Sequence, residues 1–179
     1  VGAINCTYFG KDSAGFFPAA DLVVINSHFK KKVVMKQHWK KWYHPKNGYM
    51  NVLKNVLLYP WLWFPGFYNQ HVSNNFLKST FQKVWEEEFD ILDETCRHKF
   101  RKNGDVNQWV MKYWQLADGK FNVRRGDFAF CYHVKRKNFN RLCADLKEQT
   151  HALICINDNA KTEDFEEKKQ QIIDIFEQK

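Results

Sequence analysis

Apolar residues recur at three- and four-residue steps through the middle of the chain, which is the spacing of one face of an α-helix. These steps predict a long helix over residues 74–95 and a second over 105–117, with Gly119 as its stop. A basic, aromatic stretch that precedes them also has helical spacing. We therefore predict that residues 30–120 form a mainly helical region.

The end of the chain has a different pattern. Residues 129–134 and 151–157 are short apolar runs that predict strands, the second of them buried, and helices are predicted at 138–149 and 162–178. A strand–helix–strand–helix order predicts parallel strands joined by a right-handed crossover. We therefore predict an α/β fold in which residues 121–179 form a βαβα unit.

The beginning of the chain is less regular. Residues 1–20 show no clean periodicity and are predicted to form a loop, whereas residues 21–29 suit either a strand or the start of a helix. The 179 residues are enough for one domain with a real core. The chain opens at Val1 rather than at a methionine, which suggests a fragment or a processed product. We therefore expect either a single domain or part of a larger protein.

The net charge of the chain limits the classes of partner that we expect it to bind. The chain has 28 Lys+Arg against 20 Asp+Glu, a formal net charge of +8, and this balance favours nucleic acid, nucleotide sugars or an anionic membrane surface. No recognised nucleic-acid motif occurs, and the lysines do not alternate with a regular stacking pattern, so nucleic acid is not expected as a partner. No stretch is long and apolar enough to span a bilayer. The five cysteines form no CxxC pair, which favours a reduced, cytoplasmic setting.

Three segments hold the residue types of a phosphate-handling site. They are NQHVSNNFLKSTFQKVWEEEFDILDETCRHKFR (69–101), KNGDVNQWVMKYWQLADGKF (102–121) and ICINDN (154–159). Their order and wording resemble the third and fourth conserved regions of the Stealth proteins. That family includes bacterial capsule polymerases and the enzyme that tags lysosomal hydrolases with N-acetylglucosamine 1-phosphate. The resemblance covers roughly residues 21–179.

The resemblance implies a reaction and a fold. A Stealth protein moves a hexose 1-phosphate, here expected to be an N-acetylhexosamine 1-phosphate, from a UDP-sugar to a hydroxyl of a glycan acceptor and releases UMP. The sheet would be of the glycosyltransferase, Rossmann-like type, with residues 30–120 as a helical insertion on its edge. The setting would be cytoplasmic, at the inner face of the bacterial plasma membrane, where capsular polysaccharide is made.

Two earlier regions of the Stealth pattern, including a paired-aspartate motif central to catalysis, do not occur in this sequence. A chain without them would lack half of its active site. The alternative expectation is therefore a catalytically incomplete fragment, or an accessory module that binds polyanionic glycan or a membrane surface.

His71 is the first candidate catalytic residue. An acceptor hydroxyl must lose its proton to attack phosphorus, and a histidine titrates close to neutral pH. The resemblance places a functional histidine here, although the proline that commonly follows two residues later is replaced by Ser73. The structural alternative is a loop histidine that caps the next helix.

Arg101 is the second candidate, with Arg97 as a possible substrate-binding neighbour. A guanidinium can hold two oxygens of a phosphoryl group at once. The resemblance matches Arg101 to a functional arginine and Asp105 to the acidic residue that follows it. Asp105 and Gln108 either line the substrate site or, in the case of Asp105, simply favour a helix N-terminus. For Arg97 a solvated surface arginine is the favoured interpretation.

Asn157 and Asp158 are the third candidate, and they follow a strand directly. In open α/β sheets ligands bind beyond the carboxyl ends of strands, and a carboxylate there suits Mg²⁺ or Mn²⁺. The resemblance places the same Asn-Asp pair at this position, with Asp158 as the expected metal ligand. The structural alternative is a turn, which Asn and Asp also favour.

Residues 30–68 raise the question of peripheral membrane association. Lysines at 30–32, 36, 40 and 41 precede a loop that contains Trp61, Trp63 and Phe64. Basic residues beside interfacial aromatics suit an anionic leaflet. The structural alternative, which the sequence slightly favours for the loop, is a helix docked through Trp39 and Trp42 beneath a buried aromatic loop.

Overall fold

The structure is a computed structural model that describes residues 16–67, 73–134, 136–157 and 164–178. Its helices are α1 (Phe16–His28), α2 (Lys31–Gln37), α3 (Trp39–Trp42), α4 (Tyr49–Leu57), α5 (Lys78–Glu87), α6 (Phe89–Arg97), α7 (Trp109–Ala117), α8 (Arg136–Glu148) and α9 (Phe165–Glu177). Its strands are β1 (Ala129–His133) and β2 (Leu153–Asn157), and short 3-10 turns occupy Pro45–Asn47 and Gly126–Phe128. None of the helices in these ranges is long and apolar enough to cross a bilayer.

The chain divides into two compact units at Gly126. The first contains α1 to α7, and the second contains β1, α8, β2 and α9 together with Ser73. The expectation of a single domain or a C-terminal fragment stays a prediction.

A stack of aromatic rings forms the centre of the helical unit. Phe64 lies 5.8 Å from Trp42 and 5.0 Å from Phe67 between ring centroids, and Phe67 lies 4.6 Å from Tyr113. All four side chains are buried. Offset stacking of this kind adds to the energy of burying the rings, so these four aromatic residues stabilise the core.

The second unit has the predicted strand–helix–strand–helix order. β1 and β2 are parallel, with Cα partners running from Ala129↔Leu153 to His133↔Asn157. One face of this two-stranded sheet packs on α8 and α9 through Tyr132, Leu142 and Ile175. The predicted α/β class and the parallel strands are confirmed.

The predicted burial of β2 is wrong. Leu153 and Ile156 each expose more than a third of their side chains, while Ile154 packs on the core. In the part of the chain that the structure describes, β2 has a single neighbouring strand and helices against one face. An apolar run shows that a strand suits two-sided burial, but it does not supply the second layer.

The predicted loop over residues 1–20 is also wrong from Phe16 onwards, where α1 begins; residues 1–15 lie outside the described ranges. Pro18 falls in the first turn of α1, where a missing backbone N–H costs nothing. The stretch 21–29, left open between strand and helix, is helical to His28.

The long helix predicted over residues 74–95 is instead two helices, α5 and α6, that meet at Glu88. Glu88 leaves the helical conformation, with φ −129° and ψ 35°, and its carboxylate pairs with His28 of α1. The break therefore coincides with a contact to a residue distant in sequence, which the periodic pattern does not reveal.

The second predicted helix begins later than expected, because α7 starts at Trp109 rather than at Asp105. Its predicted end is confirmed. Gly119 has φ +69°, and the N–H of Lys120 closes the end by donating to Gln115 O at 2.9 Å. A β-carbon on Gly119 would lie 2.3 Å from the ring of His38, so only glycine fits here.

Candidate active site

The sequence-predicted site residues fall in different parts of the chain. Arg97, Arg101, Asp105 and Gln108 lie in the helical unit, at the end of α6 and in the loop that leads to α7. Asn157 lies at the end of β2 in the second unit. His71 and Asp158 lie outside the described residues, so their assigned roles stay predictions.

The loop between α6 and α7, residues 98–108, is held by one buried carboxylate. Asp105 accepts a hydrogen bond from Lys102 N at 2.7 Å through one oxygen and from His98 Nδ1 at 2.8 Å through the other. The N–H of Asp105 donates in return to Lys102 O at 3.2 Å, and Gly104 between them has φ +100°. The loop therefore closes on itself as a tight turn that only glycine accommodates at its left-handed position.

The contacts of Asp105 also determine its charge. The N–H of Lys102 lowers the pKa of Asp105, and His98 lowers it further against the opposing effect of burial. The side chain is therefore ionised at neutral pH. Since both oxygens accept hydrogen bonds from within the loop, the structure supports a positioning role, and Asp105 does not belong to α7 as its first turn.

Cationic side chains project from this loop. Lys99, Arg101 and Lys102 are exposed, and the Lys99 ammonium lies 5.7 Å from the ring centroid of Phe100. Arg97 ends α6, and its guanidinium pairs with Asp93 one turn earlier at 2.7 Å. The solvated surface arginine expected as the alternative for Arg97 agrees with this pairing. We name residues 97–102 the basic loop.

A buried acid that sequence reasoning missed fixes the far end of the same loop. Asp21 of α1 is fully buried and accepts a hydrogen bond from Asn107 N at 2.9 Å. The side chain of Asn107 in turn accepts from Trp109 N at 2.8 Å and so caps α7. Gln108, between them, is exposed. The one signal in the sequence was a lone carboxylate at the head of an apolar run, DLVVI.

The second oxygen of Asp21 is buried and accepts no hydrogen bond from any residue within the described ranges. Burial raises the pKa of Asp21 to about 7, against the lowering effect of the Asn107 N–H. A carboxyl with this pKa exchanges its proton near neutral pH, which an ordinary aspartate does not.

Asn157 is half-buried at the carboxyl end of β2. Its backbone oxygen accepts from Val134 N at 3.1 Å, and its register partner His133 is the last residue of β1. Both strands therefore end at the same edge of the sheet, and Asp158 follows Asn157 directly in the sequence. This is the edge at which α/β proteins bind ligands.

The residues that the structure describes include no group of three or more His, Cys, Asp or Glu side chains that could hold a metal ion. At the end of β2 they offer the amide oxygen of Asn157, which is a hard ligand of the kind that Mg²⁺ accepts. The expected Mg²⁺ or Mn²⁺ site on Asp158 therefore stays a prediction.

The chain is similar in sequence to proteins named as polysaccharide phosphotransferases. It is 36% identical over 159 residues to the capsular polysaccharide phosphotransferase WcwK of Streptococcus pneumoniae, covering 89% of this chain and 47% of that protein. It is 31% identical over 162 residues to the exopolysaccharide phosphotransferase cps2G of Lactiplantibacillus plantarum, covering 90% and 47%. It is 27% identical over 166 residues to the receptor polysaccharide phosphotransferase WefC of Streptococcus oralis, covering 92% and 48%.

The chain spans about half the length of the curated relatives it matches. No family model matches it, and no solved structure matches it. The names of the relatives support the transferase class and the role in polysaccharide synthesis that the sequence led us to expect.

Proposed function

We propose that this protein is a sugar-phosphate transferase that moves a hexose 1-phosphate, in particular an N-acetylhexosamine 1-phosphate, from a UDP-sugar to a glycan hydroxyl. The observation that carries the proposal is the similarity, over nine-tenths of the chain, to proteins named as polysaccharide phosphotransferases. The Stealth resemblance of segments 69–121 and 153–159 supplies the finer chemistry. The reaction would serve the synthesis of capsular or other cell-surface polysaccharide in the cytoplasm, at the inner face of the plasma membrane.

The reaction exchanges one phosphate linkage for another. The acceptor oxygen attacks the β-phosphorus of the donor, a new phosphodiester bond forms, and the bond from that phosphorus to the bridging oxygen of UMP breaks. The electron pair of the broken bond leaves with UMP, and the anomeric bond of the sugar stays intact. The proton of the acceptor hydroxyl passes to a general base, for which we propose His71.

Arg101 would hold the transferring phosphoryl group. In phosphoryl transfer the transition state spreads negative charge over the equatorial oxygens, and a preorganised guanidinium stabilises that charge. The basic loop supports this role, because Asp105 fixes the turn that carries Arg101 while the neighbouring cations stay exposed. Preorganisation matters, since a mobile arginine loses conformational entropy on binding phosphate.

Asn157 and Asp158 would hold Mg²⁺ or Mn²⁺ or contact the donor directly at the edge of the sheet. A bound divalent ion would supply neutralisation of the pyrophosphate charge. Asn157 is held at the end of β2, where its backbone oxygen accepts a hydrogen bond from Val134 N and its side chain is half-buried. Gln108, exposed at the start of α7, is available to the substrate.

The test is the identity of the released nucleotide. The complete gene product is incubated with UDP-N-acetylglucosamine or UDP-N-acetylmannosamine, a short glycan acceptor and Mg²⁺, and UMP and UDP are separated by chromatography. Release of UMP that depends on the acceptor and is lost in His71→Ala supports the proposal. Release of UDP would mean that the anomeric bond breaks, and it would contradict the proposal. Failure to release UMP with both donors would also contradict it.

A further inference from the structure

Helix α4 packs against the protein with its polar side. Asn55 is fully buried and donates to Trp42 O at 2.8 Å, and Asn51 donates to Asn47 O at 2.8 Å. The apolar residues of the helix point to solvent instead, with Tyr49 80% and Leu57 68% exposed. The outward stripe consists of Tyr49, Met50, Leu53, Val56 and Leu57. A helix of this orientation leaves its hydrophobic face without a partner among the residues of the helical unit that the structure describes.

The loop after α4 extends the same apolar surface. Trp61, Leu62 and Trp63 are each more than half exposed. The loop is nevertheless held in place, because the Lys31 ammonium donates to the carbonyls of Leu58 and Trp61. The sequence-based preference for a buried aromatic loop is wrong at Trp61 and Trp63, and the expected docking through Trp39 is also wrong, because Trp39 is 57% exposed. Trp42 and Phe64 are buried as expected. We name the outward stripe of α4 and residues 61–63 the aromatic face.

The ends of the loop are fixed by hydrogen bonds to Asn26 and to the buried Lys31. Phe64 N donates to Asn26 Oδ1 at 2.8 Å, and Asn26 Nδ2 donates to Phe64 O at 3.1 Å. Burial, with a contribution from Lys32, lowers the pKa of Lys31 to about 8, so its ammonium is still charged at neutral pH and can donate. Three exposed hydrophobic residues are therefore presented by a structured loop, which reduces the entropy lost on docking.

The segment that carries the aromatic face has charges of one sign. Residues 30–63 contain eight lysines and no aspartate or glutamate, although the whole chain has 20 acidic residues. Six of these lysines are exposed: Lys30, Lys32, Lys36, Lys40, Lys46 and Lys54. A surface with apolar residues and lysines but no carboxylates is complementary to a partner that is both apolar and anionic.

A groove opens beside the aromatic face. It has a volume of about 540 Å³ and is lined by Met35, Lys36, Trp39, Tyr43, Val56 and Tyr59. Val56 lines the groove and also belongs to the aromatic face. Lys36 lines the groove and is one of the exposed lysines of the same segment. The lining is largely apolar with one ammonium, a combination that suits a lipid acyl chain below a negatively charged headgroup.

We propose that the aromatic face docks on the surface of an anionic lipid bilayer, with α4 lying in the interface plane and Trp61 and Trp63 at headgroup depth. Interfacial helices bury an apolar stripe among headgroups and present lysines to lipid phosphates, and tryptophan favours that depth. Two copies of the chain meeting through this face would bring two lysine clusters together without a carboxylate between them. The charge pattern therefore favours lipid over a second copy.

The experiment measures binding of the complete gene product to sedimented vesicles. Vesicles of phosphatidylcholine with about 30% phosphatidylglycerol are compared with pure phosphatidylcholine, and tryptophan emission is recorded in parallel. We expect binding to the anionic vesicles, a blue shift of the emission, and weaker binding as salt rises. Leu57→Glu is expected to reduce binding at least about tenfold. Phe176→Glu, at a 57% exposed position in the other unit, is the matched control and is expected to bind as the wild type does.

A second pair of variants tests the lysines. Lys36→Glu with Lys40→Glu is expected to weaken binding to the anionic vesicles by about tenfold or more, whereas Lys147→Glu with Lys169→Glu changes the net charge equally and is expected to have little effect. Circular dichroism confirms that each variant is folded. Absence of vesicle binding, equal binding to both vesicle types, or binding that Leu57→Glu leaves intact would overturn the proposal. Self-association that Leu57→Glu abolishes, without vesicle binding, would assign the face to a second copy.

Discussion

The backbone N–H of Asn107 donates a 2.9 Å hydrogen bond to the buried carboxylate of Asp21, which lies 86 residues earlier in the chain. The side chain of Asn107 also caps α7 through Trp109 N. The loop that carries Arg101 is therefore tied at one end to α1, and at its turn by Asp105. The position of the proposed phosphate clamp thus depends on a helix that no local pattern connects with it.

The raised pKa of Asp21, about 7, predicts that this residue makes stability depend on pH. Below about pH 4 the carboxyl is protonated in both the folded and unfolded states, so its contribution is fully present. As the pH rises towards 7 the unfolded state ionises first, and that contribution to stability is lost. We expect Asp21→Asn, which keeps an acceptor for Asn107, to raise the free energy of unfolding by about 2 kcal/mol near pH 8 and to change it little near pH 4.

Urea unfolding of wild type and Asp21→Asn at both pH values measures this effect as a difference between the two proteins. Glu86→Gln, at an exposed position on α5, is the control and should show no pH-dependent difference. A difference between Asp21→Asn and the wild type that is the same at both pH values would contradict the prediction.

The sequence predicted the fold where local pattern and tertiary contact agree. Gly119 ends α7 as expected, because its left-handed conformation is a local requirement of the helix end. The pattern failed at Glu88, where the backbone leaves the helical conformation between α5 and α6 and the side chain pairs with the distant His28. It also failed at Leu153, on the face of β2 opposite to Ile154, because an apolar run cannot tell how many layers will cover a strand.

The candidate site was also predictable only in part, because some of its contacts join residues that no local pattern connects. Arg101 and Asn157 could be identified as candidates because they lie in segments whose order and wording resemble the conserved regions of the Stealth proteins. The partnership of Asp105 with His98, and that of Asp21 with Asn107, depend on the folded path of the chain and leave no spacing signal. The lysines before the tryptophan loop were visible in the sequence, but the outward orientation of α4 was not.

Asp145 is a buried carboxylate of the second unit, and its contacts predict that the stability of the protein falls in acid. Burial raises its pKa, but hydrogen bonds from Thr150, Tyr132 and His151 outweigh burial and lower it to about 2. Its contribution to stability is therefore present above about pH 4 and lost as the pH falls towards 2. We expect Asp145→Asn to cost about 1–3 kcal/mol near pH 6 and much less near pH 2.

Chemical unfolding followed by fluorescence at the two pH values checks this expectation. Glu148→Gln, exposed on the same helix, is the matched control. If the cost of Asp145→Asn were as large near pH 2 as near pH 6, the ionised network would not be its source.

Asp105 is expected to act by positioning the basic loop. Asp105→Ala leaves Lys102 N and His98 Nδ1 without their acceptor, so the turn loosens and the melting temperature falls by several degrees. If Arg101 clamps phosphate, the same variant raises KM for the UDP-sugar as well as lowering kcat. Asp93→Ala, which removes the half-buried carboxylate that pairs with the exposed Arg97, is the control and should change the melting temperature little. An Asp105→Ala protein with wild-type stability would contradict the positioning role.

Divalent metal is expected to be required for turnover. EDTA should abolish UMP release and Mg²⁺ should restore it, because the donor carries a pyrophosphate whose charge must be neutralised. Asp158→Asn is expected to raise the Mg²⁺ concentration needed for half-maximal rate by about tenfold or more. Asp164→Asn, an exposed acid at the start of α9, controls for the loss of one negative charge. Unchanged Mg²⁺ dependence in Asp158→Asn would remove that residue from the proposed metal site.

Arg101 is expected to provide a bidentate contact that lysine cannot replace. Arg101→Ala should lower kcat/KM for the UDP-sugar by about 10²–10³-fold, and Arg101→Lys should recover only a small part, because an ammonium is a point charge without the planar fork of a guanidinium. Lys99→Ala removes a positive charge from the same exposed loop and should change kcat/KM by less than about threefold. Steady-state rates of UMP release measure all three variants. If Lys99→Ala and Arg101→Ala were equally impaired, the loop would act through its net charge alone, and the specific clamp at Arg101 would be wrong.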